Sequence, residues 1–381
     1  MHTHVIIHYG EIGIKKGNRL FFEKALARNI RRKLSGEKLK RGYGRFVIEL
    51  NEGSDKNKIA SALSSTFGIA NFAFVLKSDL NLDDIISRSV ALAKESDAAT
   101  FRISANRANK SFPLTSLQVN EVVGGAVMDL GKKVELRDPE LDINIEITNR
   151  AAYIYSDIQQ GPGGLPVGVT GKVISLISGG IDSPVASVLA MKRGCKCVLV
   201  HFHNYTLYQE SVKKKIVQLA EKLSVYNGHT RLYVVPFAEL QKEIIARVPA
   251  EYRMLAYRRA MLRIAEVIRE NERAKAFVTG DNLAQVASQT LDNLDVIYSV
   301  ANKPVIAPLI GYDKKDIIKL AEQIGTYSTS ILPYDDCCSA FIAEHPATKS
   351  TREELDEMEK DIDFGALIKD AVEKAEILEV K

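Results

Sequence analysis

One short stretch limits what this chain can fold into more than any other. An apolar run of strand length at 173–177 is followed by Ser-Gly-Gly-Ile-Asp-Ser at 178–183 and by helical spacing from Pro184 to 193. A buried strand, a glycine loop and a helix with proline in its first turn form one strand–loop–helix unit. In such a unit the amides of the loop and of the helix N-terminus point to one place. We therefore predict an anion-binding loop between Ser178 and Ser183.

The residue types in this loop favour phosphate. Gly179 and Gly180 lack the Cβ atoms that would block phosphate oxygens, and Ser178 and Ser183 add hydroxyl donors. A Gly-Gly pair alone is weak evidence, because any tight strand-to-helix turn can use it, so the prediction depends on the whole hexapeptide. Lys172 is followed by valine and not by the serine or threonine of a Walker A motif, which excludes a P-loop kinase or GTPase.

The spacing of apolar residues predicts three regions. The first has strands at 4–8, 45–50 and 72–76 and helices at 18–34 and 59–67; the second has helices at 82–95 and 117–128 and strands at 100–105, 142–148 and 152–155. A run of glycine and proline at 161–166 marks a boundary. The third region has strands at 173–177, 197–202, 232–235 and 276–279, which predicts a doubly wound parallel sheet. We predict surface helices without chemistry for 351–381.

Composition sets wider limits. With 381 residues, 46% of them apolar, the chain can hold two or three domains. No apolar run approaches the roughly 20 residues of a membrane span, and no secretory signal is evident, so we expect a cytoplasmic protein without a membrane partner. The four cysteines form two close pairs, Cys195 with Cys197 and Cys337 with Cys338. Neither pair has C-x-x-C spacing, so we expect no structural metal and no disulfide framework.

Positive charge is concentrated at the N-terminal end. Residues 1–60 contain 14 Lys or Arg against 6 Asp or Glu, an excess of +8 in a chain whose net charge is +4. Such charge asymmetry suits a polyanionic binding partner, although a solvated basic helix face would give the same pattern. Arg102, Arg107 and Lys110 lie on or just after the strand predicted at 100–105, where they can hold phosphate or ribose.

The segment 178–183 resembles the PP-loop of the ATP pyrophosphatases, which cleave ATP between its α and β phosphates. The sequence around it is similar to the tRNA 4-thiouridine synthetases, the ThiI family. The similar stretches are 110–116, 161–168, 178–186, 201–203, 257–259, 279–281, 285–290 and 333–338. The resemblance implies a ferredoxin-like domain at 1–78, a THUMP RNA-binding domain at 79–160, a linker at 161–171 and a Rossmann-like PP-loop domain at 172–381. Both N-terminal domains would contact tRNA, with Arg102, Arg107 and Lys110 as candidates.

The resemblance also implies an ATP site with Mg²⁺. Its ATP contacts would be Leu176, Ile177, Ser178, Gly179, Gly180, Asp182, Ser183, His201, Phe202, Arg258, Gly280 and Gln289. Because a carboxylate does not attract phosphate, we expect Asp182 to hold Mg²⁺ or to orient the loop. Lys314 matches a family lysine and would neutralise a phosphate; the alternative is a solvated lysine at a helix start. Arg258 could equally form an ordinary surface ion pair.

Sulfur transfer requires a thiol, and the family's functional cysteine falls at Cys337. Cys338 is the close competitor, and both follow two aspartates, which would raise a nearby thiol pKa unless a cation compensates. Cys195 and Cys197 flank a predicted strand start, and we expect them to be structural. Because the sequence stops at Lys381, we expect no rhodanese domain, and the sulfur donor is then either a cysteine desulfurase persulfide or sulfide. The family resemblance implies a homodimer.

The predicted function is an ATP-dependent tRNA sulfurtransferase. It would adenylate the uridine at position eight of tRNA and replace its C4 oxygen with sulfur, giving 4-thiouridine, AMP and pyrophosphate. A different PP-loop enzyme, such as a 2-thiouridine thiolase or an amide-forming ligase, would share the ATP loop but not the stretch 110–116. A tRNA-binding module with a degenerate nucleotide site is a further alternative, against which the intact loop argues.

Overall fold

The structure is a computed structural model that describes residues 2–204, 210–333 and 343–381. The chain divides into two compact units, Met1–Gly164 and Leu165–Lys381. No helix within the described ranges is both long enough and apolar enough to cross a bilayer.

The N-terminal unit alternates strands with helices. Its elements are β1 (His4–His8), α1 (Arg19–Lys33), β2 (Lys38–Gly42), β3 (Arg45–Glu49), α2 (Lys56–Ser64), β4 (Asn71–Ser78), α3 (Leu82–Lys94), β5 (Thr100–Arg107), α4 (Ser116–Met128), β6 (Lys133–Val134), β7 (Leu141–Ile147), β8 (Ala152–Tyr155) and β9 (Gln159–Gln160). The described strands of this unit form one sheet in the order β2-β3-β1-β4-β8-β7-β5-β6, with β9 beside β4. The predicted helices and strands are confirmed, but β2 was not predicted, because its Lys-Leu-Lys-Arg-Gly sequence is almost entirely exposed.

Three apolar clusters occur in the described part of this unit. In the first, α1 and α2 cover β1, β3 and β4 through residues such as Leu26, Phe46 and Phe72. In the second, α3 and α4 pack on β5 and β7 through residues such as Phe101 and Ile143. The third cluster, which includes Ile6 and Val75, lies on the opposite face of β1 and β4. β7 is buried on one face only, which explains its alternating apolar pattern.

The C-terminal unit is built on a mainly parallel sheet. Its elements are β10 (Gly171–Leu176), α5 (Asp182–Lys192), β11 (Cys195–His203), α6 (Glu210–Asn227), β12 (Thr230–Pro236), α7 (Ala238–Arg247), α8 (Arg253–Glu272), β13 (Phe277–Val278), α9 (Leu291–Tyr298), β14 (Val305–Ile306), α10 (Lys314–Gln323), α11 (Tyr327–Ser330), α12 (Arg352–Glu359), α13 (Phe364–Glu373) and β15 (Glu376–Val380). The strand order is β14-β13-β10-β11-β12-β15. β10 to β13 are parallel, as predicted, and β14, which was not predicted, pairs parallel with β13.

Helices cover both faces of this sheet. Ser175 bonds Ser187 of α5 at 2.7 Å on one face, whereas Ile174, its neighbour in β10, lies in the cluster that contains the apolar side of α8. The chain passes from β10 through β11 to β12 on one side and returns to β13 and β14 on the other. The strand order therefore reverses between β10 and β13, and ligands of such sheets bind at this point, outside the carboxyl ends of the strands.

The prediction of surface helices for the C-terminal tail was wrong in two respects. β15 is a strand that pairs antiparallel with β12, from Thr230↔Val380 to Val234↔Glu376. Helices α12 and α13 also contribute buried residues, Leu355 and Ala371, to the core that contains α8. The acidic composition of the tail hid both features, because β15 is an edge strand with mostly exposed side chains.

Candidate active site

The glycine loop between β10 and α5 is closed by its own serines. The Ser178 amide donates to Ser183 Oγ at 2.9 Å, and the two hydroxyl oxygens are 3.1 Å apart. The Gly180 amide donates to Ser178 Oγ at 3.3 Å. The two serines therefore shape the loop in addition to offering hydroxyl groups to a ligand.

The start of α5 provides free amides at the same place. The helix begins at Asp182, and Ile181 at its N-cap makes no side-chain capping bond. Neither Gly179 nor Gly180 has a positive φ, so the glycines are not needed for a left-handed backbone. A Cβ at Gly180 would meet Ser178 Oγ at 3.4 Å and otherwise face open space. Gly180 thus leaves room for an anion in front of first-turn amides.

Gly280, just after β13, packs against this loop. A Cβ built on Gly280 would lie 2.8 Å from the Ser183 nitrogen and 3.0 Å from its Cα, closer than real Cβ contacts. Only glycine allows the two chain segments to approach this closely. Gly280 therefore sets the position of the loop from the neighbouring strand.

Asp182 joins the loop to two distant segments. Lys314, the first residue of α10, donates to Asp182 Oδ1 at 2.5 Å, and Gln285 Nε2 donates to Oδ2 at 2.9 Å. The carboxylate is largely covered, since 20% of its side chain is exposed. Lys314 is thus placed at the loop, as its predicted role at a phosphate requires. The contact with Gln285 was not predicted.

Asp281 is a second carboxylate that joins several chain segments, and only 3% of its surface is exposed. Both of its carboxylate oxygens accept from Arg258 at 2.6 Å. The Tyr298 hydroxyl donates to Oδ2 at 2.6 Å, and Gln289 Nε2 donates to Oδ1 at 3.1 Å. Burial raises the pKa of Asp281, but the Arg258 charge and hydrogen bonds from Tyr298 and Thr279 outweigh it, so the pKa lies below its ordinary value.

Arg258 is accordingly not an ordinary surface ion pair, because its partner is buried and gathers a second predicted ATP contact, Gln289. The role of Asp281 was missed from sequence. The available signal was its position directly after the end of a predicted strand, in Thr279-Gly280-Asp281.

The remaining predicted ATP contacts lie at the ends of β10 and β11. His201 Nδ1 donates to the Ile177 carbonyl at 2.9 Å, which ties the two strand ends together. Phe202 is buried and packs edge-on against Phe237, so its side chain belongs to the core. Leu176 is partly buried beside the same cluster. These four residues surround the base of the loop 178–183, where the strand direction places them.

The predicted sulfur-carrying residues, Cys337 and Cys338, lie outside the described residues. The chain just before them is anchored by Lys215 of α6, which is buried and donates to the carbonyls of Ser330 at 2.9 Å and Leu332 at 2.8 Å. Beyond the cysteines, Asn293 Nδ2 donates to the Ala347 carbonyl at 2.9 Å. Both flanks of the cysteine segment are therefore fixed to the helices of the C-terminal unit.

Cys195 and Cys197 are buried in β11. Burial raises the pKa of both thiols, most strongly that of Cys197, whose Sγ lies 3.6 Å from the Ser187 carbonyl. A thiol with a raised pKa is a poor nucleophile, which agrees with the predicted structural role.

Two of the three predicted tRNA contacts also serve the protein itself. Arg102 pairs with Asp142, and Arg107 donates to the carbonyls of Phe112 at 2.8 Å and Leu114 at 3.0 Å. Arg107 therefore shapes the stretch 110–116. Lys110 is exposed in that stretch.

A basic and aromatic cluster lies elsewhere in the N-terminal unit. Buried Glu23 accepts from Tyr9, from Arg19 at 2.8 Å and from Arg41 at 3.2 Å. The Arg19 guanidinium also lies 4.7 Å from the ring centre of Tyr43, which is 87% exposed. An exposed ring over an oriented arginine is the arrangement on which nucleic-acid bases stack.

Family models match almost the whole chain. The model described as thiamine biosynthesis protein (ThiI) matches residues 168–364, the ThiI ferredoxin-like domain matches 4–73 and the THUMP domain matches 80–157. The chain belongs to the ThiI family. The family and the three-part fold predicted from sequence are thereby confirmed.

Curated relatives in the ThiI family are similar over their full length. The probable tRNA sulfurtransferase of Moorella thermoacetica is 42% identical over 386 residues, covering 100% of this chain and 98% of the relative. That of Brevibacillus brevis is 40% identical, covering 99% and 96%. A crystal structure of a 4-thiouridine synthetase–RNA complex with bound ATP is 37% identical with a TM-score of 0.92, and all of each chain is covered.

Proposed function

We propose that this ThiI-family chain is an ATP-dependent tRNA sulfurtransferase that converts the uridine at position eight of tRNA into 4-thiouridine. The observation that carries the proposal is the closed loop 178–183 at the switch point of the sheet, with Lys314 held against it by Asp182. The full-length similarity to an RNA-bound and ATP-bound 4-thiouridine synthetase supports it. We further propose the domain boundaries 1–78, 79–160, 161–171 and 172–381.

The activation step follows from the chemistry of the base. The C4 oxygen of uridine is a poor leaving group, so it first attacks the α phosphorus of ATP and pyrophosphate departs. Negative charge builds on the departing pyrophosphate, and the loop amides and the Lys314 ammonium lie in place to stabilise it. AMP, attached to the C4 oxygen, is then a good leaving group.

Mg²⁺ fits this site as an ion that arrives on the phosphates of ATP. No cluster of three or more His, Cys, Asp or Glu side chains suitable for a metal occurs in the parts of the chain that the structure describes. Mg²⁺ is commonly held by one or two carboxylates together with substrate phosphates, and Asp182 is the carboxylate at the loop. When bound, Mg²⁺ would neutralise phosphate charge. Asp182 would orient the loop whether or not it binds the ion.

Sulfur transfer completes the reaction. A sulfur nucleophile adds at C4 of the adenylated uridine, and AMP leaves with the former C4 oxygen. We propose that Cys337 or Cys338 carries this sulfur as a persulfide when the donor is a cysteine desulfurase persulfide. After its outer sulfur has added at C4 and AMP has left, a second thiol, either the other cysteine of the pair or an external thiol, attacks the carrier cysteine; this breaks the S–S bond, forms a disulfide and releases 4-thiouridine. Free sulfide would add directly and needs no such step. Lys215 supports this step by holding the chain at Ser330 and Leu332, directly before the cysteine segment.

tRNA binding is proposed for the N-terminal unit. The excess charge of residues 1–60, the exposed Lys110 and the platform of Arg19 and Tyr43 provide phosphate contacts and a stacking surface. Arg102 and Arg107 remain candidates, although both also bind within the protein. A homodimer is expected by analogy with the family.

The decisive test uses the pure protein with unmodified tRNA, Mg-ATP and sulfide. Digested tRNA is analysed for 4-thiouridine by mass, and pyrophosphate is measured in parallel. We expect both products, and we expect Asp182→Ala to abolish both. Asp316→Ala, which removes an exposed carboxylate near the start of α10, is the matched control.

The possible outcomes separate the alternatives. Pyrophosphate release without 4-thiouridine would show that activation is correct and that a protein sulfur donor is required. Good tRNA binding without either product would favour an RNA-binding module with a degenerate nucleotide site. A sulfur-containing product at a different uridine atom would identify another PP-loop thiolase.

A further inference from the structure

Gln289 carries an unused hydrogen-bond acceptor at the candidate nucleotide site. Its Nε2 donates to Asp281 Oδ1 at 3.1 Å, whereas its Oε1 is buried and has no hydrogen-bond partner among the described residues. A buried acceptor without a partner carries a free-energy cost. A ligand that donates to Oε1 would remove this cost, and a ligand that lacks the donor would not.

Asp281 determines how the side-chain amide of Gln289 is oriented. A carboxylate can only accept hydrogen bonds, so the amide must present its NH₂ group to Asp281. The opposite orientation would place Oε1 against a buried negative oxygen. Burial raises the pKa of Asp281, but the charge of Arg258 and the hydrogen bonds outweigh burial, so the pKa lies below its ordinary value. Asp281 is therefore ionised at neutral pH.

The same carboxylate orients Arg258. Both oxygens accept from the Arg258 guanidinium at 2.6 Å, and Tyr298 donates to Oδ2. Arg258 reaches the Ser288 carbonyl at 3.4 Å, next to Gln289 in the chain. Asp281 therefore holds a cationic donor and an oriented amide acceptor beside each other.

We propose that Asp281 is a positioning residue for nucleotide specificity: it turns Gln289 Oε1 towards the ligand, so that the site selects a nucleotide with a hydrogen-bond donor at that place. On ATP this donor is either the exocyclic amine of adenine or a ribose hydroxyl. The inference rests on the proposed function only in taking a nucleoside triphosphate as the ligand.

The test is equilibrium binding by calorimetry, which does not depend on turnover. ATP is compared with purine riboside triphosphate, which lacks the amine, and with 2′-deoxy-ATP and 3′-deoxy-ATP. We expect the wild-type protein to bind one of these analogues roughly 10- to 100-fold more weakly than ATP, and that analogue identifies the donor.

Variants then separate positioning from simple loss of structure. Gln289→Leu removes the acceptor, and Asp281→Asn allows the Gln289 amide to turn. Both should bind ATP more weakly and bind ATP and the discriminated analogue within about threefold of each other. Tyr298→Phe removes a different donor from Asp281 and should preserve the full discrimination ratio, whatever it does to affinity.

Two results would overturn the inference. One is a wild-type protein that binds ATP and all three analogues within about threefold. The other is Asp281→Asn or Gln289→Leu with undiminished discrimination. A wild-type protein that does not bind ATP at all would instead refute the proposed function.

Discussion

Arg258 and Arg259 are neighbours on α8, yet they join different parts of the C-terminal unit. Arg258 pairs with Asp281 at the carboxyl ends of the strands, where Gln289 shares the same carboxylate. Arg259 is 1% exposed and binds Glu359 at 3.1 Å, together with Asp356, on helix α12. One arginine belongs to the candidate site, and the other fastens the C-terminal tail to the core.

The two pairs differ in what surrounds them. Arg259 also donates to the Val296 carbonyl at 3.1 Å and to Ser299 at 3.2 Å, so its donors are spent on packing α8, α9 and α12 together. The partner of Arg258 lies beside Gln289 Oε1, an acceptor that has no hydrogen-bond partner within 2–204, 210–333 and 343–381. Glu359 Oε1, on the partner of Arg259, is likewise buried without a hydrogen-bond partner among the described residues, so the two pairs differ in the segments that they join and not in having an unsatisfied atom nearby.

The largest expected effect is on stability. Arg259→Met should lower the free energy of unfolding by about 3–5 kcal/mol, because it leaves Glu359 buried with less compensation. Arg258→Met should cost less stability but should raise the KM for ATP roughly 10- to 100-fold. Denaturant unfolding and pyrophosphate kinetics on both variants measure this contrast. If both variants lost the same stability and had the same KM for ATP, the two arginines would not have different roles.

A slightly smaller effect is expected at the loop. Lys314→Met should lower the rate of pyrophosphate release roughly 100- to 1000-fold, because a preorganised cation beside the phosphates is lost. Lys315→Met is the matched control, since Lys315 is 80% exposed and pairs at 3.6 Å with the equally exposed Asp313. Steady-state kinetics with unmodified tRNA distinguish the two variants. If Lys314→Met released pyrophosphate at a near-normal rate, Lys314 would have a structural role and would not act on the phosphates.

The next effect concerns pH. The pKa of Asp281 is lowered in the fold, so its contribution to stability is fully present above its unfolded pKa, near the ordinary value of 3.8, and is lost as pH falls through the lower folded value. Asp281→Asn should therefore be less stable than wild type at pH 7 by about 2–3 kcal/mol, and the difference should shrink below about pH 4. Urea unfolding between pH 3 and pH 7 provides the measurement. A gap that stays constant with pH would mean that the carboxylate charge is not what stabilises this network.

The smallest expected effect is on tRNA binding by the N-terminal unit, where a paired and an exposed basic residue can be compared. Arg102 pairs with Asp142, whereas Lys110 is exposed, so Lys110 should contribute more to tRNA binding. Lys110→Gln should weaken binding a few-fold and reduce the salt slope of log K by about 0.7–0.9. Arg102→Gln should change the slope less. Binding titrations from 50 to 200 mM salt measure both slopes. If Arg102→Gln changed the slope more than Lys110→Gln, Arg102 and not Lys110 would be the main tRNA contact of the two.

Much of the fold could be predicted from the sequence because it is encoded locally. Strands β1, β7 and β10 and helices α1, α3 and α5 lie within a few residues of their predicted bounds. β7, α1 and α3 each bury one periodic apolar face, whereas β1, β10 and α5 are short segments that are buried at consecutive positions. The edge strands β2 and β15 were not predicted, because an edge strand can be stabilised by backbone pairing while its side chains stay exposed and charged. An apolar pattern cannot reveal such a strand.

The sequence by itself determined the strand–loop–helix unit around Ser178 to Ser183 and the family to which the chain belongs. The tertiary structure decided which distant side chains meet there. Lys314 is 132 positions from Asp182, and Gln285 is 103. It also decided that Arg258 pairs with Asp281 at the candidate site, whereas Arg259 joins α8 to α12. Local spacing encodes secondary structure, but long-range hydrogen bonds depend on which strands become neighbours in the sheet, and that order is fixed only when the whole core packs.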